Sequence, residues 1–278
     1  MAIPFELQLD TDRVVRGDLY PARGSSNGTI VVCHGFKGFK DWGFFPHTAQ
    51  RLSEAFDVMT FNYSHNGVGP DLTSFSELGK FATQTYTKDL EDLDTLITHI
   101  RDQSLPLKHA DPPSTASIFL LGHSRGGGIA LLYALDHPDT VNGVISWNGV
   151  THVDLLTKEM KEEMRRFGRT YVENARTKQQ MPLDRVILED MEKNRDRYDI
   201  LQRIKSMTCP VILVQGTEDM PRLLDGSKQL VAANPNVQWV KIKDGQHTFN
   251  AVHPFESETA PLKEAIETTE RFIMNTLE

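Results

Sequence analysis

The stretch Ile118-Phe119-Leu120-Leu121-Gly122-His123-Ser124-Arg125-Gly126-Gly127-Gly128-Ile129-Ala130 decides the fold. Four apolar residues run into a G-x-S-x-G turn, and small residues open a helix directly behind it. A strand that enters a helix through so tight a turn strains the serine backbone and pushes its hydroxyl clear of the sheet. Gly122 and Gly126 are needed because a side chain at either position would collide with the turn or the neighbouring strand. The helix beginning near Arg125 aims its N-terminal N–H groups and positive dipole end at any anion formed when Ser124 attacks. Gly126-Gly127-Gly128 is not a phosphate loop, since no G-K-[ST] follows it.

A serine hydroxyl needs a base, and the base needs an orienting acid. Val211-Ile212-Leu213-Val214-Gln215-Gly216-Thr217-Glu218-Asp219 is a buried strand ending in a turn with two carboxylates. Asp219 is preferred to Glu218, because a G-x-x-D turn carries its fourth residue toward the strand end. Asp225 and Asp244 are weaker candidates, and a solvated turn carboxylate is the alternative reading of Asp219. Val240-Lys241-Ile242-Lys243-Asp244-Gly245-Gln246-His247 is a second strand running into a glycine-containing loop. Of the 10 histidines, only His247 and His253 follow the candidate acid, and only His247 comes directly after a strand and a glycine. Earlier, Val31-Val32-Cys33-His34-Gly35-Phe36 ends a strand in an H-G-x loop. The backbone N–H groups of Phe36 and Arg125 are therefore the candidate oxyanion donors, with His34 ordering the loop instead of acting as a base.

Outward from these motifs, strands at Ile30 to Val32, Val58 to Phe61, Ile118 to Leu121, Val141 to Trp147, Val211 to Val214 and Val237 to Ile242 alternate with helical patterns. Tyr86, Leu90, Leu93, Ile97 and Ile100 recur at three and four, as do Leu262, Ile266, Thr269, Phe272/Ile273 and Leu277. This rhythm predicts an α/β fold: a doubly wound, mostly parallel sheet with helices on both faces. Residues 3–9 and 13–20 read as a leading hairpin. Between 151 and 206 no strand is evident. Val153, Leu156, Met160, Met164, Phe167 and Tyr171 sit at helical spacing, and Pro182 opens a second helical pattern with Leu183, Ile187 and Met191. The expected organisation is a core of residues 1–150 and 207–278 with a helical cap inserted at 151–206. The insert either merely covers the sheet or caps a site at the strand ends, where open α/β sheets bind ligands.

Composition narrows the classes of function. Lys plus Arg is 30 against 38 for Asp plus Glu, a net charge of −8, which argues against a nucleic-acid partner. Two cysteines in 278 residues form no disulfide framework, and both lie beside apolar runs. No segment has the length of a membrane span, and the N-terminus has neither a basic nor an apolar leader region. The expectation is a cytoplasmic protein with no membrane partner. His47, His99 and His137 show no metal-ligand spacing, so neither metal nor cofactor is implied. Phe36, Phe39, Trp42, Phe44 and Phe45 form either the wall of a substrate pocket or a loop packed on the sheet.

Taken together, His34-Gly35-Phe36, Gly122-His123-Ser124-Arg125-Gly126, Gly216-Thr217-Glu218-Asp219 and Gly245-Gln246-His247 resemble the α/β-hydrolase superfamily over essentially the whole chain. Phe61-Asn62-Tyr63-Ser64-His65-Asn66-Gly67 resembles a stretch of dienelactone-hydrolase-like and cinnamoyl or feruloyl-esterase-like bacterial serine hydrolases, whose small lid occupies the position of this insert. Ser124 stands where dienelactone hydrolases carry cysteine, and Arg125 where cinnamoyl esterases often carry Gln. The resemblance implies a serine esterase acting on a small-molecule ester through an acyl-enzyme. Ser124 is the expected nucleophile, His247 the base, Asp219 the acid, Phe36 and Arg125 the oxyanion hole, and Met160, Met164, Phe167 and Tyr171 the substrate pocket. A thioesterase or peptidase on the same residues, or a silent binding module, are the alternatives.

Overall fold

The structure, a computed structural model, describes residues 2–108 and 110–278. The chain opens with β1 (Ile3–Gln8) and β2 (Val14–Tyr20), paired antiparallel as the expected hairpin. Then follow β3 (Thr29–Cys33), α1 (Phe45–Leu52), β4 (Asp57–Asn62), α2 (Leu78–Ala82), α3 (Tyr86–Arg101), β5 (Ile118–His123), α4 (Arg125–Asp136) and β6 (Gly143–Trp147). After the insert come β9 (Val211–Gly216), α8 (Pro221–Ala233), β10 (Gln238–Ile242) and α9 (Ala260–Leu277). The sheet has 8 strands in the order β1-β2-β4-β3-β5-β6-β9-β10. From β4 to β10 every pairing is parallel.

β3, β4, β5, β6 and β9 are buried at every position, which explains their predominantly apolar sequences. One face of the sheet packs against α1 and α9 through Phe45, Ala49, Leu52, Leu262, Ile266 and Phe272. The other packs against α3 and α4 through Leu93, Ile97, Leu131 and Leu132. Thr85 caps α3 by accepting from the Lys88 N–H, and Thr259 caps α9 likewise from Leu262. The strand order reverses between β3 and β5. A doubly wound sheet opens a crevice at such a reversal, beyond the carboxyl ends of the strands.

The insert departs from the expected all-helical form. It holds α5 (Lys158–Phe167), β7 (Arg169–Glu173), β8 (Gln180–Asp184), α6 (Arg185–Lys193) and α7 (Ile200–Arg203). β7 and β8 form a separate two-stranded antiparallel sheet. Gly168, at φ 81°, ends α5 in the left-handed conformation, so the apolar spacing from Met164 through Phe167 to Tyr171 spans two elements instead of one helix. Pro182 lies within β8, opposite Tyr171, and the second helix starts three residues later. This small sheet is its own edge on both sides, a place where proline is tolerated.

Candidate active site

Ser124 occupies the turn between β5 and α4 with φ 56° and ψ −119°, a conformation that costs a non-glycine residue on the order of 1–3 kcal/mol. The surroundings hold it there. Its N–H donates to the Trp147 carbonyl at 3.0 Å, and its carbonyl accepts from Gly127 and Val150, both at 3.0 Å. A Cβ on Gly122 would lie 2.2 Å from the Gly126 carbonyl oxygen, and one on Gly126 would lie 2.0 Å from that of Cys33. Both glycines are thus fixed by close backbone approach.

His247 lies on the loop after β10, and Asp219 on the turn after β9. The His247 Nδ1–H donates to Asp219 Oδ1 at 2.7 Å. Because the carboxylate can only accept, Nε2 is left as an acceptor for the Ser124 hydroxyl, 3.0 Å away. Asp219 also accepts from Gln215 Nε2 at 3.0 Å and the Met220 N–H at 2.8 Å; its side chain is 0% exposed while that of His247 is 28% exposed. Glu218, Asp225 and Asp244 are all exposed and take no part. His253 accepts from the Gly43 N–H at 2.8 Å and stacks on Trp42.

The N–H groups of Phe36 and Arg125 have no acceptor among the described residues. β3 and β5 are adjacent, with Cys33 opposite Gly122, so the Phe36 loop and the start of α4 leave the sheet side by side. His34 is fully buried; its Nδ1–H donates to the Gly35 carbonyl at 3.0 Å and its Nε2 accepts from Asn66 at 3.4 Å. Burial pushes it down to about 4, so it is neutral at pH 7 and orders the loop.

Three supporting groups escaped sequence reasoning. Asn148, fully buried with φ 45°, donates to the His247 and Gln246 carbonyls at 2.8 and 3.2 Å and accepts from the Gly216 N–H at 2.9 Å. It ties the end of β6 to both the Asp219 turn and the His247 loop. His123 donates from Nε2 to the same His247 carbonyl at 2.8 Å; burial pushes it down to about 3. The Arg125 guanidinium binds buried Asp89 of α3 at 2.7 and 3.1 Å and lies 3.7 Å above the Tyr86 ring. Burial raises the Asp89 carboxyl against the pull of that guanidinium. The only sequence signal was the Asn148-Gly149 pair after a strand, which reads as an ordinary turn.

A cavity of about 250 Å³ opens at the two candidate oxyanion residues, Phe36 and Arg125. Phe36 and Arg125 line it on the sheet side; Val153, Leu156, Met160, Val172, Leu183 and Ile187 line it from the insert. Of the four expected pocket residues, Met160 lies there. Met164 is 0% exposed, packed into the core beneath α5. Phe167 is 68% and Tyr171 55% exposed, and neither lines the cavity. Gly168 stops α5 just after Phe167, and the two-residue period of β7 then turns Thr170 inward and Tyr171 out. The aromatic cluster divides: Phe39, Phe44 and Phe45 are core, and Phe36 faces the cavity. Neither the cavity nor a larger groove of about 1070 Å³ between the insert and the end of α8 is lined by Ser124, Asp219 or His247, but only the cavity is lined by Phe36 and Arg125.

Residues 24–199 match the family described as serine aminopeptidase, S33. The chain belongs to that family of α/β-hydrolases. The matched region holds the Phe36 loop, the Ser124 turn and most of the insert, and ends before Asp219 and His247. No curated protein matches the sequence. Among solved structures, the chain is similar to Est1E of Butyrivibrio proteoclasticus, at 15% identity and TM-score 0.68, with 99% of each chain covered. It is also similar to the monoacylglycerol lipase of Paleococcus ferrophilus, at 15% identity and TM-score 0.66, covering 94% of this chain and 99% of that one. Dienelactone hydrolase of Anabaena variabilis gives 13% identity and TM-score 0.62 over 99% of this chain and 97% of the other. At these identities the likeness is one of fold. Among the described residues, no helix is long and apolar enough to cross a membrane.

Proposed function

We propose that this hydrolase cleaves carboxylic esters through an acyl-enzyme formed on Ser124. The observation that carries this reading is the hydrogen-bonded chain from Ser124 through His247 to Asp219, at 3.0 and 2.7 Å. Ser124 Oγ attacks the ester carbonyl while His247 Nε2 takes its proton. The carbonyl oxygen, now an anion, accepts from the unoccupied N–H groups of Phe36 and Arg125. Collapse of this intermediate expels the alcohol, which His247 protonates, and water then releases the acid by the same route. Asp219 holds the imidazole tautomer throughout. In this reading the insert acts as a cap over the acyl pocket.

The cavity favours esters over aminopeptidase substrates. An aminopeptidase must receive a free α-ammonium close to the scissile carbonyl. Among the described residues the cavity lining has no Asp or Glu, and its charged members Lys37, Arg125 and Arg222 are all cationic, so an ammonium would be repelled there. The names of two structural neighbours, a monoacylglycerol lipase and a dienelactone hydrolase, also denote ester cleavage.

A fluorophosphonate probe, followed by a matched panel of aryl esters, short-chain esters, acyl thioesters and aminoacyl amides, tests the proposal. Labelling at Ser124 with turnover of esters above thioesters and amides is expected. An unlabelled protein, or one that prefers aminoacyl amides, overturns it.

A further inference from the structure

The protein carries a net charge of −8, yet the cavity at Phe36 and Arg125 is cationic and, among the described residues, free of lining carboxylates. Arg125 is already matched by Asp89. Lys37 and Arg222 are not matched: neither has a carboxylate within ion-pair distance among the described residues. The half-buried Lys37 ammonium donates one hydrogen bond, to the Glu173 carbonyl at 2.9 Å, which leaves two of its three donors free. The Glu173 carboxylate pairs with Lys178 instead, at 3.1 Å. Burial draws the Lys37 ammonium down from its ordinary value, and the nearby Glu173 charge only partly opposes this, the sign of a charge incompletely compensated by its surroundings.

Arg222 stands in the first turn of α8, where no acidic residue balances it. A cation at a helix N-terminus opposes the dipole, and an anion in the cavity would face both. The two cations reach the cavity from opposite sides, Lys37 from the loop after β3 and Arg222 from the segment after β9, with β5 and β6 between them in the sheet. The rest of the lining is mostly aliphatic.

Which part of an ester enters this cavity follows from the proton route. His247 must face the leaving alcohol in order to protonate it; neither His247 nor Ser124 lines the cavity, whereas Phe36 and Arg125, the residue next to the nucleophile, do. The cavity is therefore the acyl side. We propose, building on the ester reading above, that the enzyme selects esters whose acyl group is an apolar chain bearing a carboxylate, received by Lys37 and Arg222. Monoesters of medium-length dicarboxylic acids are the substrate class this lining fits.

Three p-nitrophenyl esters of equal chain length test this: the hexanoate, the adipate monoester with its free carboxylate, and the 6-aminohexanoate with its ammonium. At low ionic strength kcat/KM is expected to fall from carboxylate to neutral to ammonium by about tenfold per step, as for charge pairs near a protein surface. The preference should shrink in 0.5 M salt, where the screening length is only about 3–5 Å. Lys37→Met and Arg222→Met should each move the carboxylate-to-neutral ratio toward one, and together abolish it. Far-UV circular dichroism checks their folding; Arg222 is exposed, so its replacement keeps the test valid if the Lys37 variant unfolds. Turnover without any carboxylate preference, or an unchanged ratio in the Arg222 variant, overturns the charge selection while leaving the ester reading intact. Failure to cleave all three esters overturns both.

Discussion

Replacing Asn148 by Ala probes the device that holds the Asp219 and His247 loops together. The side chain is wholly buried and makes three hydrogen bonds, two as donor to the His247 and Gln246 carbonyls and one as acceptor from the Gly216 N–H. The His247 carbonyl keeps its bond from His123, and exposed Gln246 can turn to water. The Gly216 N–H is left without a partner, which costs about 1–3 kcal/mol. Alanine must also adopt the φ of 45°, adding about 1–2 kcal/mol over a residue suited to that region. The expected loss of unfolding free energy is therefore about 2–5 kcal/mol, read by urea denaturation at pH 7. With the His247 loop less firmly held, kcat/KM on a short ester should fall by about 10²-fold with little change in KM. His123→Phe removes the other donor to the same carbonyl, so the two substitutions should be non-additive by about 0.5–3 kcal/mol in a double-mutant cycle. A variant within about 0.5 kcal/mol of the parent, like a surface substitution, and with full activity, would show that the loops are fixed by other means.

Ser124→Ala should keep the fold and lose nearly all ester hydrolysis. Asp219→Asn should cost about 10⁴-fold in kcat, while Glu218→Gln, at an exposed position, should be mild; a dead Glu218 variant would reverse the assignment. His123 is held neutral with its value pushed down to about 3 by burial, so below pH 6.5 the unfolded chain takes up a proton that the folded chain refuses. Stability from this group is complete above pH 6.5 and declines toward pH 3, and His123→Gln should flatten the pH dependence of unfolding free energy by about 1.4 kcal/mol per pH unit; an unaltered slope between pH 6 and 4 refutes that. Met160→Ala, which enlarges the cavity, should shift the ranking of acyl chain lengths by about 10–200-fold, whereas Phe167→Ala and Tyr171→Ala, both at the outer surface, should leave the ranking unchanged in the same ester panel.

The core of the fold was legible because its signals are local. An apolar run leading into Gly122-His123-Ser124-Arg125-Gly126 needs no partner to be read, since the glycines are forced by backbone contacts within a few residues or with the adjoining strand. The insert was less legible because its strands are short and one-sided. Arg169 to Glu173 has only Thr170 fully buried, too weak an alternation to compete with the helical spacing that runs through Met164 and Phe167. Gly168 was the available stop signal. Asn148, Asp89 and Lys37 were illegible for another reason. Their roles depend on partners 99, 36 and 136 residues away, and no spacing rule reaches so far.

The scatter of the site along the chain bears on how the protein regains activity after unfolding. Phe36, Ser124, Asp219 and His247 follow β3, β5, β9 and β10, and the Ser124–His247 contact closes a span of 123 residues. Neither the hairpin, the insert nor any single strand–helix unit contains the whole set. The contact needs the parallel pairings from β5 through β6 and β9 to β10, and such long loop closures are slow. Recovery of ester turnover should therefore coincide with the last refolding phase, lagging the return of helical circular dichroism. Turnover is then a more exacting measure of complete folding in this chain than any probe of secondary structure.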